Sequence, residues 1–140
     1  MKQVFQSLLN GNIVIEEVPI PNIDKGHLLI STNKTLISAG TEKMLIDFGK
    51  SNYIEKARKQ PAKLKEAMEK VKQEGPFYVY DAIKNKLEEP VELGNCNVGT
   101  VIGIGENVHG FKIGDRVVSN GPHAEIVCVS QNLCALIPNE

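Results

Sequence analysis

Short runs rich in Val, Ile, Leu and Thr occupy Gln3 to Leu8, Ile13 to Val18 and Leu28 to Thr35, and they predict three early strands. The first two are joined by Asn10-Gly11-Asn12, and Asn-Gly is a strong short-range hairpin signal because both residues tolerate positive φ. Pro19 and Pro21 end the second strand, since proline has no N–H to give to a ladder. From Ser51 to Leu87 the period becomes helical. Leu64, Met68 and Val71 recur on one face with Ala67 beside them, and Val79, Ile83 and Leu87 form a second stripe. Ser51 is the expected N-cap, and Pro61 is either a break or the first residue of a second helix. Gly75-Pro76 stops one helix and starts another, and Glu88-Glu89-Pro90 ends the segment. Strand and turn signals return from Gly99 to Pro138. Strands on both sides of one helical segment predict a mainly β domain interrupted once, with the insertion at about residues 48–89.

A chain of 140 residues suits one domain that buries about two thirds of its unfolded surface. The net charge of −1 gives no overall attraction to nucleic acid or to an anionic membrane, and no basic stripe interleaved with aromatics is present. No apolar run approaches the ~18 residues of a membrane span, and Met1-Lys-Gln-Val-Phe-Gln6 lacks a secretory apolar core, so a cytoplasmic protein is expected. Between Lys50 and Pro90, ten Lys or Arg face seven Asp or Glu, leaving the rest of the chain acidic. Solvated helix faces explain this most simply, and a basic lid over a phosphorylated substrate is the sharper alternative. The two apolar stripes need cover, from the β portion or from a neighbouring subunit in a homo-oligomer. Cys96, Cys128 and Cys134 show no CxxC spacing; Cys128, inside Ile126-Val-Cys-Val129, reads as a packed thiol, and Cys134 similarly.

The densest pattern is Val101-Ile-Gly-Ile-Gly-Glu-Asn-Val-His-Gly-Phe-Lys-Ile-Gly-Asp-Arg-Val-Val118. Gly103 and Gly105 suggest close backbone approach in a β-branched strand, while Gly110 and Gly114 bracket Phe111-Lys-Ile113 in a turn. Asp115 and Arg116 are expected to hold that turn as the next strand begins. The run resembles the signature of the medium-chain dehydrogenase/reductase family, in its N-terminal domain that folds like the co-chaperonin GroES. Ile13 to Pro21, Leu36-Ile-Ser-Ala-Gly-Thr-Glu42, Pro90-Val-Glu-Leu-Gly94, Ala124 to Val129 and Ala135-Leu-Ile-Pro138 agree with it in order. The resemblance covers roughly two thirds of the chain and implies a GroES-like, partly open β-barrel over residues 1–140 with an inserted helical segment. It also implies a Rossmann domain downstream, in cis, that binds NAD(P). Gly103-Ile-Gly105 is not that cofactor's fingerprint, because the third glycine would fall at Val108 and no helix pattern follows.

Zinc enzymes of the family hold their catalytic metal with a Cys in the first active-site segment and a His after the second. The matching positions here are Ala39 and Asn95, with Cys96 in place of the neighbouring glutamate; alanine and asparagine do not make a zinc site, so no zinc is expected. Thr41 matches the hydroxyl that relays a proton in those enzymes, and Ser38 lies three residues earlier. Their alternative role is to cap the turn from Glu42 to Phe48. Glu42, at the place of a family aspartate, reads as structural, His109 as solvated, and His123, after Gly121-Pro122, as a residue that faces either a cleft or solvent. The expected function is therefore the substrate-side domain of a zinc-independent NAD(P)-dependent oxidoreductase for a small alcohol, carbonyl or sugar-type substrate, with Ser38 and Thr41 catalytic and Asn95, Cys96 and Glu42 in the cleft. The long insertion is similar to a subgroup fused to sugar oxidoreductase-like domains in polysaccharide synthesis. The other reading is a non-enzymatic GroES-like binding module whose insertion docks a partner.

Overall fold

The computed structural model describes residues 1–51, 55, 58 and 61–138. In chain order these form β1 (Lys2–Ser7), β2 (Ile13–Glu17), β3 (His27–Thr35), α1 (Ala39–Lys50), α2 (Pro61–Glu74), α3 (Pro76–Glu88), β4 (Pro90–Glu92), β5 (Asn97–Ile104), β6 (Arg116–Ser119), β7 (Ile126–Ser130) and β8 (Cys134–Leu136). Two open sheets result, a three-stranded one in the order β2-β1-β4 and a five-stranded one in the order β7-β3-β5-β6-β8. Residues gather into two compact units, one of Met1–Phe5, Val14–Glu42 and Glu92–Glu140, the other of Gln6–Ile13 and Lys43–Val91.

In the first unit, the central pair of the large sheet carries the core. β3 pairs with β5 on one side and β7 on the other, both antiparallel, with Ile30 opposite Val101 and Val127. Alternation puts Leu28 and Ile30 of β3, Val101 of β5, Val117 of β6 and Val127 and Val129 of β7 on one covered face, and Leu28, Ile30, Val101 and Val117 are fully buried. Each such side chain contributes about 1.5–3 kcal/mol by leaving water. Register breaks in β3 between Leu29 and Ile30 and between Thr32 and Lys34 bend the strand where it crosses β5. Gly99 allows the crossing, since a Cβ there would strike the Ser31 carbonyl oxygen and lie 2.6 Å from Ile30 Cγ2. Gly103 and Gly105 have the same use: their missing side chains leave room for Ile23 and for the backbone of Asp24, so the paired glycines serve strand packing.

In the second unit, the turn after β1 tightens as the Asn-Gly signal implies, with Gly11 at φ 75° and its N–H donating to the Ser7 carbonyl at 2.8 Å. Gly49 of α1 would place a Cβ 2.8 Å from Gly11 Cα, so this turn and the end of the helix meet backbone to backbone. Buried Gln6 donates through Nε2 to the Leu45 carbonyl at 3.0 Å. The helical stretch starts earlier than its periodicity suggests: the turn expected at Glu42 to Phe48 is part of a helix of 12 residues beginning at Ala39. Ser51, expected to open a helix, instead follows this one, its hydroxyl donating to the Asp47 carbonyl at 2.7 Å. Of the helix expected directly after it, Glu55 and Arg58 are described, both helical, and the remaining residues before Pro61 lie outside those described. Pro61 opens α2, and Gly75 at φ 90° separates α2 from α3, whose first residue is Pro76. Of the two apolar stripes, Val79 is buried, whereas Met68 is 60% and Ile83 43% exposed; the side chain of Leu64 lies outside the described residues.

Replacing Ile30 with alanine is expected to cost about 2–5 kcal/mol by opening a cavity at the centre of the large sheet. Ile15→Ala, on a β2 side chain that is 69% exposed, is expected to stay within about 0.5 kcal/mol. Urea denaturation of both variants measures the contrast.

Candidate functional site

The segment between β3 and α1 is anchored by Leu36, whose N–H donates to the Cys96 carbonyl at 3.1 Å, so residues 36–42 and 93–97 are held side by side. Ser38 stands immediately before α1. Its N–H donates to Glu42 Oε1 at 2.8 Å, and its carbonyl accepts the Glu42 N–H at 2.9 Å, the reciprocal arrangement that satisfies donors at a helix start. Ser38 Oγ meets Thr41 Oγ1 at 3.2 Å. With its carbonyl and amide committed to Glu42, Ser38 turns its hydroxyl to a neighbour one helical turn on, and Thr41 stays open to solvent.

Glu42 is 8% exposed, and its Oε1 has a second partner, His123 Nε2 at 3.2 Å. This pair joins residues 81 apart in sequence, and each of the two side chains is nine-tenths covered. His123 is fixed by its backbone: its N–H donates to the Leu93 carbonyl at 2.7 Å and its carbonyl accepts the Val4 N–H at 2.9 Å. Its ring lies over Gly94, where a Cβ would fall 2.6 Å from His123 N and 2.7 Å from ring atoms Cγ and Nδ1. Gly94 also has φ 99°, so two independent constraints keep a side chain out of this position. Buried His123 Nδ1 finds no hydrogen-bond partner.

Ser38, Thr41 and Glu42 are thus brought together, and His123 joins them. Asn95 is exposed and lines a different feature, a shallow cavity of ≈ 340 Å³ shared with Ser119, Asn120, Asn132 and Cys134, whose lining includes neither Ser38 nor Thr41. Burial pushes the Cys134 thiol up to about 11. Cys96 is half-buried. The neighbouring Asn97 is fully buried, and its Nδ2 donates to Thr32 Oγ1 at 2.6 Å. Ala39 has no donor atom, and no group of three or more His, Cys, Asp or Glu side chains placed to hold a metal ion is found among the described residues.

Residues 77–139 match the family described as the alcohol dehydrogenase GroES-like domain. Among curated proteins, L-threonine 3-dehydrogenase of Escherichia coli is 29% identical over 122 residues, 86% of this chain and 26% of that protein. The L-threonine 3-dehydrogenase of Alteromonas mediterranea is 25% identical over the same share of each. The family match and these relatives indicate the GroES-like N-terminal domain of the medium-chain dehydrogenase/reductase family. The fold agrees with solved relatives. The quinone oxidoreductase from Coxiella burnetii superposes with a TM-score of 0.61 at 20% identity, over 97% of this chain and 36% of that one. The Escherichia coli quinone oxidoreductase complexed with NADPH gives 0.62 at 13% identity, over 99% and 33%. The chain spans about a quarter of the length of the curated relatives and about a third of the solved ones. No helix among the described residues is long and apolar enough to cross a membrane.

The His123–Glu42 pair is the part of the site that sequence reading missed. Each residue was visible alone, one after Gly-Pro and one at a helix start, but the only sequence hint of their meeting was Gly94, whose role is clear once the ring is seen above it. Gly94→Ala is expected to destabilise the chain by about 1–3 kcal/mol through forced positive φ, and to move the His123 ring resonances in an NMR spectrum. At pH 8 the raised value at Cys134 leaves about a hundredfold less thiolate than in the unfolded chain. Iodoacetamide labelling followed by mass spectrometry is expected to be correspondingly slower at Cys134 in native protein than in urea.

Proposed function

We propose that this chain is the substrate-side domain of a cytoplasmic NAD(P)-dependent oxidoreductase that works on an alcohol, carbonyl or sugar-type substrate without zinc. The observation that carries the reading is the Ser38–Thr41 hydroxyl pair, 3.2 Å apart at the open start of α1, beside an Ala39 that offers no metal ligand. The NADPH complex of a relative with the same fold supports the choice of cofactor, which would be bound by a separate Rossmann domain.

When bound, the nicotinamide supplies or accepts the hydride. This chain's residues then have to manage the substrate oxygen, which gains negative charge as a carbonyl is reduced. Thr41 accepts from Ser38 and keeps its own proton for that oxygen, and the N–H groups at the start of α1 add a favourable partial positive charge. In the oxidation direction the same two hydroxyls pass the alcohol proton outward. Glu42 remains an acceptor held by Ser38 and His123, so it is not the proton donor.

A second reading has one observation in its favour. Phe77, Tyr78 and Tyr80 of α3 are 86%, 63% and 61% exposed, which suits a GroES-like module that docks a partner through its helical segment.

In the full-length gene product, NAD(P)H oxidation with quinone, aldehyde and keto-sugar acceptors is expected to survive exhaustive chelation. Thr41→Val, which removes the hydroxyl and keeps the shape, is expected to lower kcat by about 10²–10³-fold. Activity that disappears with the chelator and returns with zinc overturns the zinc-free reading, and absence of turnover with every acceptor favours the docking module.

A further inference from the structure

We propose that His123 is the positioning residue of the hydroxyl pair, acting through Glu42. Its role in turnover rests on the oxidoreductase reading above; the clasp itself rests on the geometry.

A carboxylate oxygen only accepts, so at the 3.2 Å contact with Glu42 Oε1 the proton must sit on His123 Nε2. The other ring nitrogen is consistent with this. Nδ1 is buried over Gly94 with no partner, and a proton there would be a buried donor without an acceptor. The peptide of His123 is held on both sides, by the Leu93 carbonyl and by the Val4 N–H, and the ring packs close to Gly94, where there is no room for a Cβ. His123 is therefore a donor presented to one oxygen from an anchored backbone.

That oxygen also receives the Ser38 N–H. A lone glutamate at a helix start has rotamers that leave it free to turn into water, and holding it from a second side removes that freedom. The consequence runs along a short chain of contacts: His123 holds Glu42, Glu42 holds the Ser38 peptide, and Ser38 Oγ sets the Thr41 hydroxyl. A hydrogen bond across 81 residues thus ties the start of α1 to His123, whose own peptide is bonded to Leu93.

The test has one arm on the unaltered chain and one on variants. In the 140-residue chain, long-range ¹⁵N–¹H NMR of His123 is expected to show the proton on Nε2. Amide exchange at Ser38 is expected to be about tenfold faster in His123→Phe, which keeps an aromatic ring but has no donor. In His123→Gln, which restores an N–H donor, it is expected to stay within about twofold of the parent. Exchange at Leu36, bonded to Cys96, is expected to be unmoved by either. In the full-length enzyme His123→Phe is expected to lower kcat about 10–100-fold with KM little changed, and His123→Gln to recover most of it. A proton on Nδ1, or unchanged Ser38 exchange in His123→Phe, overturns the clasp. Faster exchange with unchanged kcat overturns its role in positioning. A wild-type enzyme without NAD(P)H turnover sinks the oxidoreductase reading instead, while tautomer and exchange still decide the clasp. Because the tautomer is read on the parent chain, a His123→Phe chain that fails to fold leaves the question decidable.

Discussion

The peptide of His123 is the constraint on which the site depends. Its N–H and C=O tie together Leu93 and Val4, and the Leu93 N–H in turn donates to the Val4 carbonyl at 3.1 Å, so three distant stretches of chain close a small ring of backbone bonds. The following residues continue the connection, with the Glu125 N–H on the Lys2 carbonyl at 3.0 Å and the Thr32 N–H on the Glu125 carbonyl at 2.9 Å. Backbone bonds of this kind are individually worth only about 0.5–1.5 kcal/mol. Their value here is geometric: they fix a side chain that has to reach residue 42 from residue 123.

Around that point the glycines decide where the chain can pass. Gly94 lies under the imidazole, Gly99 under the β3 backbone, and Gly105 against the carbonyl of Asp24. Each replaces side-chain packing by direct contact with backbone, which draws β5 to β3 and Gly94 to His123 closer than two residues with Cβ atoms allow. The buried aliphatic face of the large sheet supplies the cohesion, and these close approaches supply the shape. The bond from Leu36 to Cys96 then carries that shape out of the sheet to the start of α1, where the hydroxyls are presented.

A site built at a helix start needs both favourable charge and cross-linking. At the start of α1 in this chain the two tasks separate: partial charge from helix N–H groups and hydroxyl protons stands near the open side, and cross-linking falls to hydrogen bonds on the buried side. Glu42 stands on the buried side, 8% exposed and bonded to both Ser38 and His123.

The amino-acid sequence by itself determined the strands, the turns and the family resemblance. Gly11, Gly75, Gly110 and Gly114 all adopt positive φ where turns were expected, and the run from Val101 to Val118 folds as strand, turn and strand. Such features are local, because backbone conformation and strand alternation depend on neighbours a few residues away. The hydroxyls of Ser38 and Thr41 were legible for the same reason, lying within one turn. The place of Asn95 beside Ser119 and Cys134 was not legible, since it follows from how β5, β6 and β8 pair. The helical start at Ala39 was hidden because Ala-Gly-Thr carries little apolar period. Tertiary structure alone decided that His123 meets Glu42: a contact between residues so far apart is set by the register of strands and the closeness of backbones, and neither leaves a periodic trace in the order of side chains.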